Sequence, residues 1–259
     1  MGDRTDRAAM VNSLASRGSE RTHPAFQLVV IPDADVPSGI EERLGRSDRA
    51  RFAGLDELQR RRFLAGRAAV LAVTERLVGR PLPGLAIDAV CDDCGGAHGR
   101  PDVSGVRTNV HVSIAHANGL GFAVAAWSPV GVDAEPLQTP DDRLAAVRAL
   151  TGERGGLLGR WTAVEAILKA DGRGLRVDPA EVLVGRRHGR VAGRGIRYRL
   201  HREPDLDGCV VTIAVAAQDG RGGRAGSSVR RSHASKSGSS GASANPAANA
   251  RNSTVDATP

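Results

Sequence analysis

Apolar positions along residues 24–217 switch between a two-residue and a 3.6-residue rhythm. Residues 27–31 form a short apolar run of strand length. From Asp56 the period changes: Leu58, Phe63, Leu64, Val70, Leu71, Val73 and Leu77 follow a helical repeat that Gly79 and Pro81 close. Residues 85–90 predict a strand, followed by a Cys/Gly-rich loop to Arg100-Pro101. Val110, Val112 and Ile114 alternate as a half-buried strand does, and residues 120–127 predict its neighbour. Ser128-Pro129 turns the chain, and residues 130–135 are extended again. A helix over 141–150, capped near Thr139, precedes a longer one over 153–170 that stops at Asp171-Gly172. Residues 182–184, 196–200 and 209–217 predict the last strands. This order of blocks is that of an α+β protein.

A faint repeat runs through it. The helical stretches from Arg67 and from Arg160 each reach a Gly-Arg pair at the same offset, Gly79-Arg80 and Gly172-Arg173, and each is followed by strand material. The chain therefore divides into two similar α+β halves, residues 24–128 and 129–217. Residues 218–259 are rich in Gly, Ser, Ala and Asn and almost free of large apolar side chains, the composition of a disordered tail, and residues 1–23 read the same way.

Composition narrows the classes. Aromatic residues are only 3% of the 259, so Val, Leu, Ala and Ile must build the core. The net charge of +7 first suggests a polyanion partner. Its distribution argues against nucleic acid: residues 218–259 carry +4 and residues 1–23 carry +1, leaving +2 for the folded part. No run approaches the roughly 18–20 apolar residues of a membrane span. The opening MGDRTDRAAM has no apolar leader segment, and three cysteines cannot pair off. These features predict a cytoplasmic protein without membrane or nucleic-acid contact.

Four groups of residues can carry chemistry. Of 36 basic residues only Lys169 and Lys236 are lysine, so Lys169 marks a place in the folded part where a compact ammonium is used instead of a guanidinium. It stands four residues after Glu165 and eight after Trp161, one helix face, although a surface Glu–Lys pair has the same spacing. Asp133 and Glu135 are two apart on an extended segment and point to the same side. Two adjacent carboxylates need a cation, and oxygen donors suit Mg²⁺; a solvated strand end is the plainer alternative. His116 closes an alternating strand, where a phosphate ligand and an ordinary surface histidine look alike. Cys91, Cys94 and His98 have spacing that could hold zinc, with no fourth ligand nearby in sequence.

Together these pieces resemble the surfactin-type (Sfp-like) 4'-phosphopantetheinyl transferases, the holo-(acyl-carrier-protein) synthase type of enzyme. Gly99-Arg100-Pro101 is similar to that family's Gly-Lys/Arg-Pro loop, and Val130-Gly131-Val132-Asp133-Ala134-Glu135 to its Gly-Val/Ile-Asp-x-Glu block. Trp161-Thr162, Glu165-Ala166 and Lys169 match its Trp-Ser/Thr-x-Lys-Glu-Ala/Ser-x-x-Lys block. Ser113 to His116 resembles its Ser-x-Ser-His strand end, and Phe63 to Arg67 its first long helix. Two positions depart: Val164 stands where the family has lysine, and Ala115 where it has serine. The resemblance implies two similar halves related by a pseudo-twofold, with the active site between them in a monomer. It implies transfer of the phosphopantetheine arm of coenzyme A to a serine of an apo acyl or peptidyl carrier protein, with release of 3',5'-ADP. Asp133, Glu135 and Glu165 would hold Mg²⁺; Glu165 and Lys169 would be the catalytic pair; Arg67, Arg100 and His116 would bind the phosphates of coenzyme A. Val164 and Ala115 motivate an alternative, a non-catalytic module of the same fold that grips coenzyme A or a carrier protein.

Overall fold

The computed structural model describes residues 19–91, 93–151 and 156–217. Its elements in chain order are β1 (Glu20–His23), β2 (Phe26–Pro32), α1 (Arg46–Ala53), α2 (Glu57–Val78), β3 (Ala86–Asp88), β4 (Asp102–Ser104), β5 (His111–Ala117), β6 (Leu120–Ala126) and β7 (Val130–Pro136). There follow α3 (Asp141–Thr151), α4 (Leu157–Asp171), β8 (Val182–Val184), β9 (His188–Val191), β10 (Tyr198–Leu206) and β11 (Cys209–Ala216). The fold is α+β, as the block order predicts. The disorder expected of residues 1–18 and 218–259 concerns segments outside the described residues.

Two antiparallel sheets form the centre. One has the order β1-β2-β6-β5 and the other β7-β11-β10-β9-β8; β3 and β4 pair separately. The pleat sorts the buried apolar strand residues into three layers. Val29, Ile31, Ala123 and Ala125 face α2. Leu28, Val30, Phe122 and Val124 face the second sheet, meeting Val130, Val132, Val211 and Ile213. Ala214, Tyr198 and Leu200 on that sheet's outer face meet Ala163, Val164, Ile167 and Leu168 of α4. The layers are therefore α2, first sheet, second sheet, α4. Each half of the chain supplies one sheet and the long helix packed on it.

Local chemistry sets the ends of both helices. The Asp56 carboxylate accepts from the Gln59 backbone N–H at 2.8 Å, while the Gln59 side chain accepts from Asp56 N–H at 3.1 Å. Gly79 and Gly172 close α2 and α4 in the left-handed region, with φ of 76° and 87°. Both helices lie unusually close to their sheets. A Cβ on Gly66 of α2 would strike the His116 ring, and one on Gly131 of β7 would land on the Ala166 carbonyl and the Ala170 N–H of α4. Gly131 thus admits the close approach of a helix.

Several expectations need correction. Residues 20–23, grouped with the disordered N-terminus, form strand β1 along β2. The hydroxyl of Thr139 donates to the Pro136 carbonyl at 2.5 Å, and α3 opens two residues later at Asp141. Helix α4 starts at Leu157 after the extended Gly156 (ψ 114°), and residues 153–155 of the expected helix lie outside the described residues. Strand β10 begins at Tyr198, leaving Ile196 exposed outside it. Helix α1 and strand β9 carry no apolar period and were not expected.

Two predictions follow from this packing. Gly131→Ala should overpack the α4–β7 contact and lower stability by about 1–3 kcal/mol, read as a lower urea midpoint. His201 lies edge-on to His23 and Phe26, with ring centroids 4.4 and 5.0 Å away, and its Nε2 has no partner. Burial, then the neighbouring His23, pushes the His201 pKa down to about 4 from 6.5. Between those values the unfolded chain binds a proton that the folded chain does not, so this group's stabilisation is complete above pH 6.5 and lost toward pH 4. His201→Phe should flatten the acid side of a stability-versus-pH curve across that window.

Candidate functional site

The stripe Trp161, Glu165 and Lys169 on α4 faces the alternate positions Glu135 and Asp133 of β7. Lys169 Nζ donates to Asp133 Oδ1 at 2.7 Å and to the Val132 carbonyl at 3.1 Å. Trp161 Nε1 donates to Glu135 Oε1 at 3.0 Å. Arg143 of α3 forks onto Glu135, Nη2 to Oε1 at 2.6 Å and Nε to Oε2 at 3.2 Å. Asp133 Oδ2 is buried and has no partner.

Electrostatics tie the three carboxylates together. Burial raises the Asp133 pKa above 3.8, with Lys169 pulling it down and Glu135 pushing it up. Burial also raises Glu165 above 4.5, and the charges of Asp133 and Glu135 add to the rise against Lys169 and Arg143. Glu165 therefore holds a proton more readily than an ordinary glutamate, which suits a general base. In this arrangement the three carboxylates do not close into a ligand cluster. Among the described residues, the cluster of His, Cys, Asp and Glu that does close is Cys91, Cys94 and His98.

A cleft of about 500 Å³ adjoins Lys169. Its walls bring together Arg100 and Pro101, Ser113 and Ile114 of β5, and Gly172, Arg173 and Arg176 after α4. Arg100 reaches the Val130 carbonyl at a long 3.5 Å, and burial lowers its pKa although a guanidinium stays charged. Arg173 pairs with Asp171, and Arg176 with Asp93. Four cationic side chains on one cleft make it fit for a polyphosphate.

The expected site residues fall into two sets. Arg100, Asp133, Glu135, Glu165 and Lys169 gather around the cleft and the β7–α4 contact. Arg67 and His116 do not present the charges expected of them. Arg67 is buried on α2, where Nε and Nη2 donate to the two oxygens of Asp48 at 2.6 and 2.8 Å and the guanidinium lies 4.1 Å from the Phe63 ring centroid. It is the partner of a buried acid, not a free phosphate donor. His116 packs on Gly66, hydrogen-bonds to the Arg62 backbone and leaves Nε2 without a partner. Burial, then Arg67, Arg62 and Lys169, pushes its pKa to about 4, so the ring is neutral at pH 7 and is not the cation first expected.

The two departures from the family pattern lie off the site. Val164 points into the apolar layer under β8–β10, and Ala115 into the layer between the sheets. Sequence reasoning missed Arg143, Arg173, Arg176 and Ser113. Arg173 and Arg176 carry one signal in hindsight, since they follow the Gly172 cap; Arg143 carries none.

No protein-family model matches the chain, and no curated protein matches it. Among solved structures, a holo-(acyl-carrier-protein) synthase from Bacillus anthracis str. Ames in complex with CoA (3',5'-ADP) is similar over 39% of this chain and 92% of that one, at 20% identity and a TM-score of 0.31.

The Asp48–Arg67 geometry generates a stability prediction. Arg67→Ala strands a buried carboxylate and should cost about 3–5 kcal/mol in denaturant unfolding, whereas the double apolar replacement Asp48→Leu/Arg67→Met should recover most of it.

Proposed function

We propose that this protein transfers the 4'-phosphopantetheine arm of coenzyme A to a serine of an apo acyl or peptidyl carrier protein, releasing 3',5'-ADP. One observation carries the reading. The three sequence blocks that resemble the Sfp-like transferases are far apart in the chain, yet Arg100 of the first touches Val130 at the head of the second, and Lys169 of the third touches Asp133 of the second. On this reading the two helix-on-sheet halves are related by a pseudo-twofold and the substrate lies between them, in a protein that acts as a monomer.

The residues have distinct tasks. Arg100, Arg173 and Arg176 bind and orient the phosphates of coenzyme A as charge-assisted donors. Glu165, with its raised pKa, takes the proton from the carrier serine hydroxyl as the serine oxygen bonds to the phosphorus bearing the pantetheine arm. The bond from that phosphorus to the bridging oxygen breaks, and the electron pair leaves with 3',5'-ADP, whose new charge Lys169 stabilises. His116 contributes shape to the α2 side of the site instead of charge.

A hard dication fits the acidic part. Asp133 Oδ2 is buried and unpartnered, and Glu165 is raised by its acidic neighbours, the signs of an oxygen-donor set short of one cation. Asp133 and Glu165 would hold Mg²⁺, with Glu135 joining once the half-exposed Arg143 turns away. When bound, Mg²⁺ neutralises charge on the pyrophosphate.

Intact-mass measurement of a panel of apo carrier proteins after incubation with this protein, coenzyme A and Mg²⁺ tests the proposal. A phosphopantetheine-sized gain on a carrier, abolished by EDTA and by Glu165→Ala in a protein that keeps its circular dichroism, is the expected result. Tight coenzyme A binding without mass gain on any carrier would overturn transfer in favour of a binding module, and full activity in Glu165→Ala would overturn the assignment of the base.

A further inference from the structure

The loop between β3 and β4 has Val90 as its one large aliphatic side chain, yet its described backbone makes several hydrogen bonds. Cys91 N–H donates to the Gly96 carbonyl at 2.9 Å, and Gly95 N–H returns a bond to the Cys91 carbonyl at 2.8 Å. Gly96 N–H donates to the Cys94 sulfur at 3.4 Å. Gly95 supplies the left-handed turn, with φ of 70°, and Gly99 passes so close to the Val90 carbonyl that no side chain fits there. N–H groups aimed at sulfur favour thiolates, the form in which cysteine binds metals.

The same turn brings three soft or borderline donors together. The sulfurs of Cys91 and Cys94 and a ring nitrogen of His98 all lie within 4.8 Å of one another, and Cys94 Sγ is 3.0 Å from His98 Nε2. Tetrahedral zinc with bonds of about 2.0–2.3 Å needs ligand atoms about 3.3–3.8 Å apart, so the three donors are already near their bound spacing. Two sulfurs and an imidazole select zinc over magnesium, whose preferred ligands are carboxylates and water. Cys94 and His98 are exposed, so a fourth position opens to solvent.

We propose that Cys91, Cys94 and His98 bind one Zn²⁺ ion, with water as the fourth ligand. Two thiolates balance the dication, so the centre adds no net charge to the basic cleft beside it. Its consequence is positional. Cys91, Asp93 and His98 share the cleft wall with Arg100, and Arg100 follows His98 by two residues. Zinc fixes the segment from which Arg100 reaches the cleft. The site itself does not depend on the transferase reading; its value in presenting Arg100 to a phosphate does.

Cobalt titration of the full chain, reduced and free of oxygen, decides the matter without any assay of activity. One equivalent of Co²⁺ should produce thiolate-to-cobalt charge-transfer absorption and the intense visible bands of tetrahedral cobalt, and one equivalent of Zn²⁺ should erase both. Cys94→Ser and His98→Ala should lose this spectrum, while Cys209→Ser, at a buried strand position, and Glu165→Gln should keep it. Absence of charge-transfer bands at stoichiometric cobalt, or their survival in a folded Cys91→Ser/Cys94→Ser variant, would overturn the site. Neither result bears on the mass-gain assay, so the two proposals fail separately.

Discussion

Strand β7 has a strand neighbour on one side only, and the cleft is built on that fact. Its partner is β11; on the other side its backbone groups face outward. An edge strand left like this offers pairing groups to any chain, and a buried unmet backbone group costs about 1–3 kcal/mol. Here side chains from three distant segments take the place of a neighbouring strand. Ser113 of β5 accepts the Val132 N–H at 3.1 Å, Lys169 donates to the Val132 carbonyl, and Arg100 to the Val130 carbonyl. Satisfying the edge therefore places two cations two residues apart along one strand, beside the cleft of about 500 Å³. The pleat does the rest. Val130, Val132 and Ala134 go into the layer between the sheets, while Gly131, Asp133 and Glu135 turn toward α4. A one-residue slip would bury the carboxylates between the sheets, so the register of β7 fixes the site and the core together.

Burial outweighs ion pairing at the acidic end of this edge. Asp133 keeps a raised pKa although Lys169 sits at 2.7 Å, because only one of its oxygens is paired and the other is dry. Moving a carboxylate out of water costs several kcal/mol, and a lysine shared with a carbonyl and partly exposed returns less than that. Glu135 has more partners, with both oxygens accepting from Arg143 and one also from Trp161. The cleft wall is basic where the β7–α4 contact is acidic. A ligand combining a polyphosphate with a dication would complete both parts at once, whereas a simple anion would meet Arg100 and leave Asp133 and Glu165 unrelieved.

Much of this was legible along the chain, for reasons that can be stated. Helices α2 and α4 carry an apolar stripe and a glycine stop, and β5, β6, β7 and β11 alternate or are apolar throughout, so periodicity alone finds them. Helix α1 (RSDRARFA) has no apolar face. It exists because the Asp88 carboxylate accepts the N–H of Asp48 at 2.9 Å and of Ser47 at 3.3 Å, and because Asp48 is claimed by Arg67. Those are contacts 19 and about 40 residues apart, invisible to any local pattern. The same long-range pair removes Arg67 from the phosphate-binding set: a motif match records that an arginine is present but not which acid has already taken it. Gly131 teaches a similar lesson, since a glycine beside carboxylates can serve a ligand or a helix, and only the packing of Ala166 and Ala170 decides for the helix.

Helical phase explains why two departures from the family pattern need not weaken the site. On α4 the stripe Trp161, Glu165 and Lys169 faces β7, and Val164, Ile167 and Leu168 lie about 60–160° around the helix from it, in the layer under β8–β10. A lysine at position 164 would have to leave that apolar layer before reaching a phosphate, so valine there strengthens the core at no direct expense to the carboxylates. Ala115 is alike: its side of β5 packs against the second sheet, while His116 on the opposite side packs on Gly66. Ser113, two residues back, already provides the hydroxyl on that side and spends it on Val132. Both side chains thus pack in apolar layers, and the charged groups that line the cleft are Arg100, Lys169, Arg173 and Arg176 with Asp93.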